Sequence, residues 1–122
     1  MNINARAAQT WAVLAWAARH RQTITYQQLS QATGMFTGGL GSVLAPLQAY
    51  CVARQLPPLT VLVVQKSTGL PGHGFTAAQA AQVASDQAKV FDFDWLGHGH
   101  PQEQGFRDMA APVSVPAPDG PT

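Results

Sequence analysis

Near the N-terminus, apolar residues recur at Trp11, Leu14, Ala15 and Ala18. These three- and four-residue steps predict an amphipathic helix. Asn4 is the expected N-cap, with the helix running to about Arg21. Gln9 and Thr10 interrupt the apolar run and Arg19, His20 and Arg21 follow it, flanks that suit a helix better than a secretory signal. Trp11 and Trp16 stand about 140° apart round such a helix. One of the two therefore belongs at an edge or an interface.

Thr25-Tyr26-Gln27-Gln28 is written as a capping box, with Ile24 and Leu29 spaced for a hydrophobic staple. Gly34 is the expected left-handed terminator, so a short helix spans Tyr26 to Thr33. Gly38-Gly39-Leu40-Gly41 loosens the chain before a third helical segment that ends near Gln55. Its apolar positions Leu40, Val43, Leu44, Leu47, Tyr50 and Cys51 again step by three and four. Pro46 marks a kink or a fresh start within it.

From Leu59 to Val64 the chain is rich in β-branched residues and reads as a strand. Ser67-Thr68-Gly69 forms a turn, and Leu70 to Phe75 forms the return limb of a hairpin. Thr76-Ala77-Ala78-Gln79 repeats the capping box and opens a helix to about Val90. Phe91-Asp92-Phe93-Asp94-Trp95 alternates aromatic and acidic, as a short edge strand or an extended docking segment would. Beyond Gly97, glycine, proline and alanine dominate, and residues 98–122 read as a tail. The expected fold class is α+β: a helix-turn-helix with a short β-hairpin wing, an extra C-terminal helix and an irregular tail. Residues 1–97 form the single domain.

Composition narrows the function classes. The 122 residues are 46% hydrophobic but only 11% charged, well below the roughly 25% usual for soluble domains. Such a surface is covered by neutral polar residues or partly by a partner. Cys51 is the only cysteine, which excludes an intramolecular disulfide and a cysteine metal cluster and suits a cytoplasmic protein. No stretch reaches the ~20 apolar residues of a membrane span. Charge is unevenly placed. Up to Ser85 the charged residues are Arg6, Arg19, Arg21, Arg54 and Lys66, with no acid; from Asp86 onward, six acids face Lys89 and Arg107. Either the first part meets an anionic partner, or the acidic part folds back and neutralises it.

The segment from Thr23 to Phe75 resembles the C-terminal winged-helix domain of the DNA alkylguanine alkyltransferases and the alkyltransferase-like proteins. Thr25-Tyr26-Gln27-Gln28-Leu29-Ser30 is similar to the family's "TYGELA". Gly39-Leu40-Gly41-Ser42-Val43-Leu44 is similar to its "AVGRAL", and Gly69, Gly72 and Phe75 echo the glycine-rich end of its wing. The family's reactive cysteine, in Pro-Cys-His-Arg, is replaced around Val61, in Thr60-Val61-Leu62-Val63. Gly38 stands where its base-displacing arginine would be. The resemblance therefore implies the fold and a DNA-facing surface, without alkyl transfer or base flipping.

Candidate chemistry is sparse. Cys51 lies on the apolar side of its helix, with only Arg54 in reach, and reads as a core thiol. His98-Gly99-His100 with Glu103 is the one conceivable metal cluster, completed by Asp92, Asp94 or His73; glycines on both sides favour a solvated loop. No nucleophile elbow and no phosphate loop is present. Trp11, Trp16, Tyr26, Phe36 and Tyr50 read as core rather than base-stacking residues. The expectation is a non-catalytic DNA-binding module without cofactor or metal, using Arg19, Arg21, Gln27, Gln28, Ser42, Arg54 and Lys66. The alternative is a protein-interaction module, such as an accessory protein of the kind mobile elements encode.

Overall fold

The computed structural model describes residues 2–71 and 76–107. They form a mostly helical α+β fold in which helix α1 (Ile3–Arg19) is the central element. Strand β1 (Ile24–Thr25) leads into α2 (Tyr26–Thr33), and a 3₁₀ turn (Thr37–Gly39) opens α3 (Leu40–Ala53). A second 3₁₀ turn (Leu59–Leu62) precedes strand β2 (Val63–Val64). Helices α4 (Ala77–Asp92), α5 (Trp95–His98) and α6 (Glu103–Arg107) complete the described chain.

Both capping boxes form as written. Thr25 Oγ1 accepts the Gln28 N–H at 3.1 Å while Gln28 Oε1 accepts the Thr25 N–H at 2.9 Å. Thr76 and Gln79 repeat the pair at 3.1 and 2.9 Å. Gly34 ends α2 at φ +75°, as its position required. The first helix is capped by Asn2 rather than Asn4. Asn2 Oδ1 takes the Ala5 N–H at 2.9 Å, and its amide nitrogen reaches Glu103 of α6 at 2.5 Å. Helices α1 and α3 end without glycine, each in a paired-bond C-cap: Gln22 N–H to Ala17 O at 2.9 Å, and Leu56 N–H to Cys51 O at 2.8 Å. Arg21 (φ 55°) and Gln55 (φ 56°) take the left-handed position in these two caps. Helix α3 runs through Pro46 without a break.

The expected strand from Leu59 is mostly a 3₁₀ turn. In a strand, positions three apart point to opposite faces; in a 3₁₀ turn they share one. Leu59 and Leu62 are both fully buried, and the turn is what lets both enter the core. Only Val63 and Val64 are extended, and they pair in parallel with Ile24 and Thr25. The expected hairpin is therefore not present among the described residues. The chain after β2 instead folds back on Gln65, whose backbone N–H donates to Leu70 O at 2.7 Å and whose side-chain amide donates to Pro71 O at 3.1 Å. The remainder of the return limb, residues 72–75, lies outside the described residues.

The aromatic-acidic segment is not a strand either. Phe91 and Asp92 form the last turn of α4, and Asp94 caps α5 by accepting the Gly97 N–H at 3.0 Å. A Cβ on Gly97 would collide with the Asp94 carboxylate, so a larger residue there would push the capping side chain aside. Residues 98–107, expected in the tail, return to the core: α6 packs on α1 and buries Phe106 completely. Residues 108–122, the rest of that expected tail, lie outside the described residues.

The core is organised by rings. Trp11 meets Tyr50 at 5.3 Å and Trp95 at 5.5 Å, both edge to face, and Phe106 at 6.0 Å. The Trp95 indole N–H donates to Val90 O at 2.8 Å. Burial also sets two protonation equilibria. It raises the Tyr26 phenol from 10.0 to about 12. It raises the Cys51 thiol from 9.0 to about 11, against a smaller lowering by a backbone hydrogen bond at Leu59.

Two outcomes follow from this core. Phe106→Ala should destabilise the fold by about 3–5 kcal/mol, the usual cost of removing a fully buried phenyl ring; a urea unfolding curve measures it. Alkaline pH should also destabilise the fold. Both groups have folded values above their unfolded ones, so the stability they contribute is complete below pH 9. It is lost as pH rises through about 11 for Cys51 and about 12 for Tyr26. Tyr26→Phe should flatten the later part of that loss, read from urea midpoints between pH 8 and pH 12.

Candidate interaction surface

Helix α1 buries Ala7, Trp11, Leu14, Ala17 and Ala18. Trp16, the other indole of the pair, points away from the core and is 59% exposed. Its ring is steadied by His20, one turn on, at a centroid distance of 4.2 Å, and His20 Nδ1 lies 2.9 Å from the Trp16 carbonyl oxygen. The sequence required one tryptophan to be peripheral; the structure makes it Trp16.

A hollow lies on each side of this ridge. One, of about 590 Å³, runs between α1 and the β1–α2 segment, walled by Ala12, Val13, Trp16, Ala17, Ile24 and Ala32 and rimmed by Gln22, Thr23 and Gln28. The other, of about 460 Å³, lies between α1 and α5, walled by Trp11, Ala12, Ala15, Trp16, Trp95 and Leu96. Leu96 is 77% exposed because α5 is a single turn that commits Trp95 to the core and turns the next side chain outward. Arg19 lies at the edge of this second hollow and borders a third, polar one of about 300 Å³. There Arg21 pairs with Asp92 at 3.0 Å and lies over the Phe91 ring at 5.4 Å. Both partners are exposed, so the pair is worth at most about 1 kcal/mol.

The residues expected to contact a nucleic acid are spread over several elements. Arg19 is exposed on the last turn of α1, while Arg21 is held by Asp92. Gln27 is half-buried on α2, and the Gln28 side-chain oxygen Oε1 accepts the Thr25 N–H in the capping box. Ser42 is exposed on α3. Arg54 lies over the Tyr50 ring at 4.8 Å, and Lys66 is exposed in the turn after β2. Arg6 binds the Thr33 carbonyl at the end of α2. From Leu40 to Ala53, α3 carries no charged residue. The acidic part does fold back on the basic one, at Arg21.

Phe36, expected in the core, is 76% exposed. Its ring lies across Gly38 and Gly39, where added Cβ atoms would come within 2.8 and 3.2 Å of it. The glycine pair thus serves as a floor for the ring. The sequence offered only spacing here, and that cannot tell a ring resting on backbone from one in a core.

Cys51 is buried, and its raised thiol stays protonated near neutral pH. His98 Nε2 lies 3.3 Å from the Tyr50 hydroxyl. Among the described residues, no group of three His, Cys, Asp or Glu side chains is arranged to hold a metal; His73 lies outside them. No helix among the described residues is long and apolar enough to cross a membrane. Comparison with known proteins finds no matching family, no matching curated protein and no matching solved structure.

Proposed function

We propose that this chain is a small, non-catalytic protein-interaction module that docks through the outward face of α1. One observation carries the reading: a large aromatic side chain, Trp16, stands 59% exposed between two apolar hollows. Tryptophan is enriched among the few residues that dominate binding energy at protein interfaces, where it pairs with pockets that exclude water. Here the anchor and the pockets lie on one surface. Exposed Leu96 adds to the apolar wall of the second hollow, and large contiguous apolar surface marks interaction sites. The overall scarcity of charge fits a surface partly covered by a partner.

A second reading, a DNA-binding module of winged-helix type, is favoured by the succession of α1, capped α2 and α3, and by exposed Arg19 and Lys66. It is weakened by α3. The helix that would enter a groove carries no cation, and most nucleic-acid affinity comes from neutralising phosphates.

A displayed library of random peptides, selected on the wild type and on Trp16→Ala, tests the first reading. Clones should be enriched on the wild type and lost on the variant, whose thermal midpoint should stay within about 2 °C because the side chain is exposed. A library that yields no Trp16-dependent clones sinks the docking reading. Fluorescence anisotropy with random duplex at about 50 mM salt tests the second. Binding in the micromolar range that Lys66→Ala weakens for every sequence, with a salt slope lower by about 0.9, would establish it.

A further inference from the structure

We infer that the segment bound at the Trp16 face is acidic: a peptide stretch of a partner protein whose apolar anchors enter the hollows and whose carboxylate meets Arg19. The inference rests on the docking reading above and adds the chemistry of the occupant.

The argument is one of charge placement. From Ile3 to Thr33, the stretch that supplies α1, β1 and α2, the charged residues are Arg6, Arg19 and Arg21, with no acid. Two of the three are already engaged. Arg6 donates to the Thr33 carbonyl and to Gln9 Oε1, and Arg21 is paired with Asp92. Arg19 has no carboxylate within ion-pair distance among the described residues. It is exposed and sits at the rim of the hollow walled by Trp16 and Leu96. A ligand seated against those two side chains therefore ends beside a guanidinium that no carboxylate of the described residues engages, and its planar fork suits one.

Two features oppose an anion here, and both are already partly satisfied. The carbonyl end of α1 is the negative pole of the helix, but its last carbonyls accept the Arg21 and Gln22 N–H groups at 3.0 and 2.9 Å. Asp94 shares the polar hollow with Arg19, but one of its carboxylate oxygens holds the Gly97 N–H. The other acids among the described residues are Asp86 on α4, paired Asp92, and Glu103, which is bound to Arg107 at 2.6 Å. None of these lines either apolar hollow. Among the described residues, the second hollow thus has one free cation, Arg19, at its rim and no acid in its wall, and complementary charge at an interface rim selects the partner and steers its approach.

The test uses the full chain and two synthetic amphipathic helical peptides with identical leucine positions. One carries glutamate at every polar position and the other lysine. The indole N–H resonance of Trp16, assigned by its loss in Trp16→Phe, reports binding. The glutamate peptide should shift it and the lysine peptide should not. Arg19→Glu should weaken the glutamate peptide by about tenfold at low salt and raise the affinity of the lysine peptide. Equal or tighter binding of the lysine peptide overturns the inference, as does an Arg19→Glu variant that binds both peptides like the wild type. Silence with both peptides also overturns it. The docking reading is judged separately, by the Trp16-dependent clones of the random library, whatever their charge.

Discussion

Trp11 occupies the point where α1, α3, α5 and α6 meet, and its indole is the surface against which Tyr50, Trp95 and Phe106 take their places. Two of these contacts are edge-to-face at interplanar angles of 81–82°, the arrangement that ring quadrupoles favour over a stacked sandwich. Because these rings come from residues scattered between positions 11 and 106, the cluster does the long-range tying that a large sheet does in other α+β folds. The two-residue parallel ladder contributes little surface of its own. It holds β1 beside β2, and so sets the start of α2 against the segment that follows Leu62.

Committing Trp11 inward has a geometric cost on the same helix. A residue five positions on cannot share its stripe, so Trp16 has to face away. The burial of one indole and the exposure of the other are a single fact about a helix packed on several sides. The same reasoning applies on a smaller scale to α5, where Trp95 goes in and Leu96 comes out. The two exposed side chains end on neighbouring parts of one surface because their buried partners touch at the centre.

What could be read from the sequence was what is local. Thr25 with Gln28, Thr76 with Gln79, and Gly34 at a helix end act within one turn of chain, and each appears where it was expected. The buried face of α3 and the inert setting of Cys51 were legible from spacing alone. What could not be read depends on contacts between distant segments. Leu59 to Val64 have the composition of a strand, but tertiary burial of Leu59 and Leu62 selects a 3₁₀ turn. Residues 98–107 lack any periodic signal, yet burial of Phe106 and Pro101 and the bond from Asn2 to Glu103 draw them onto the core. At the candidate site, the sequence indicated that one tryptophan had to be exposed but not which. It gave no sign of the hollows, which α2 and α5 form only by packing beside α1. The cations it singled out were individually plausible, but pairing with Asp92 and stacking on Tyr50 engage two of them.

The contact between α1 and α6 also bears on how the chain is made. Synthesis proceeds from the N-terminus at about 5–20 residues per second, so α1 emerges before the helices that pack on it. Its principal indole then waits for a ring that is encoded almost a hundred residues later, and Asn2 waits for Glu103. Through most of elongation the nascent chain carries a helix whose sticky side has only part of its cover. The native core is therefore complete only once residue 106 has been made, although Tyr50 of α3 reaches the same indole much earlier.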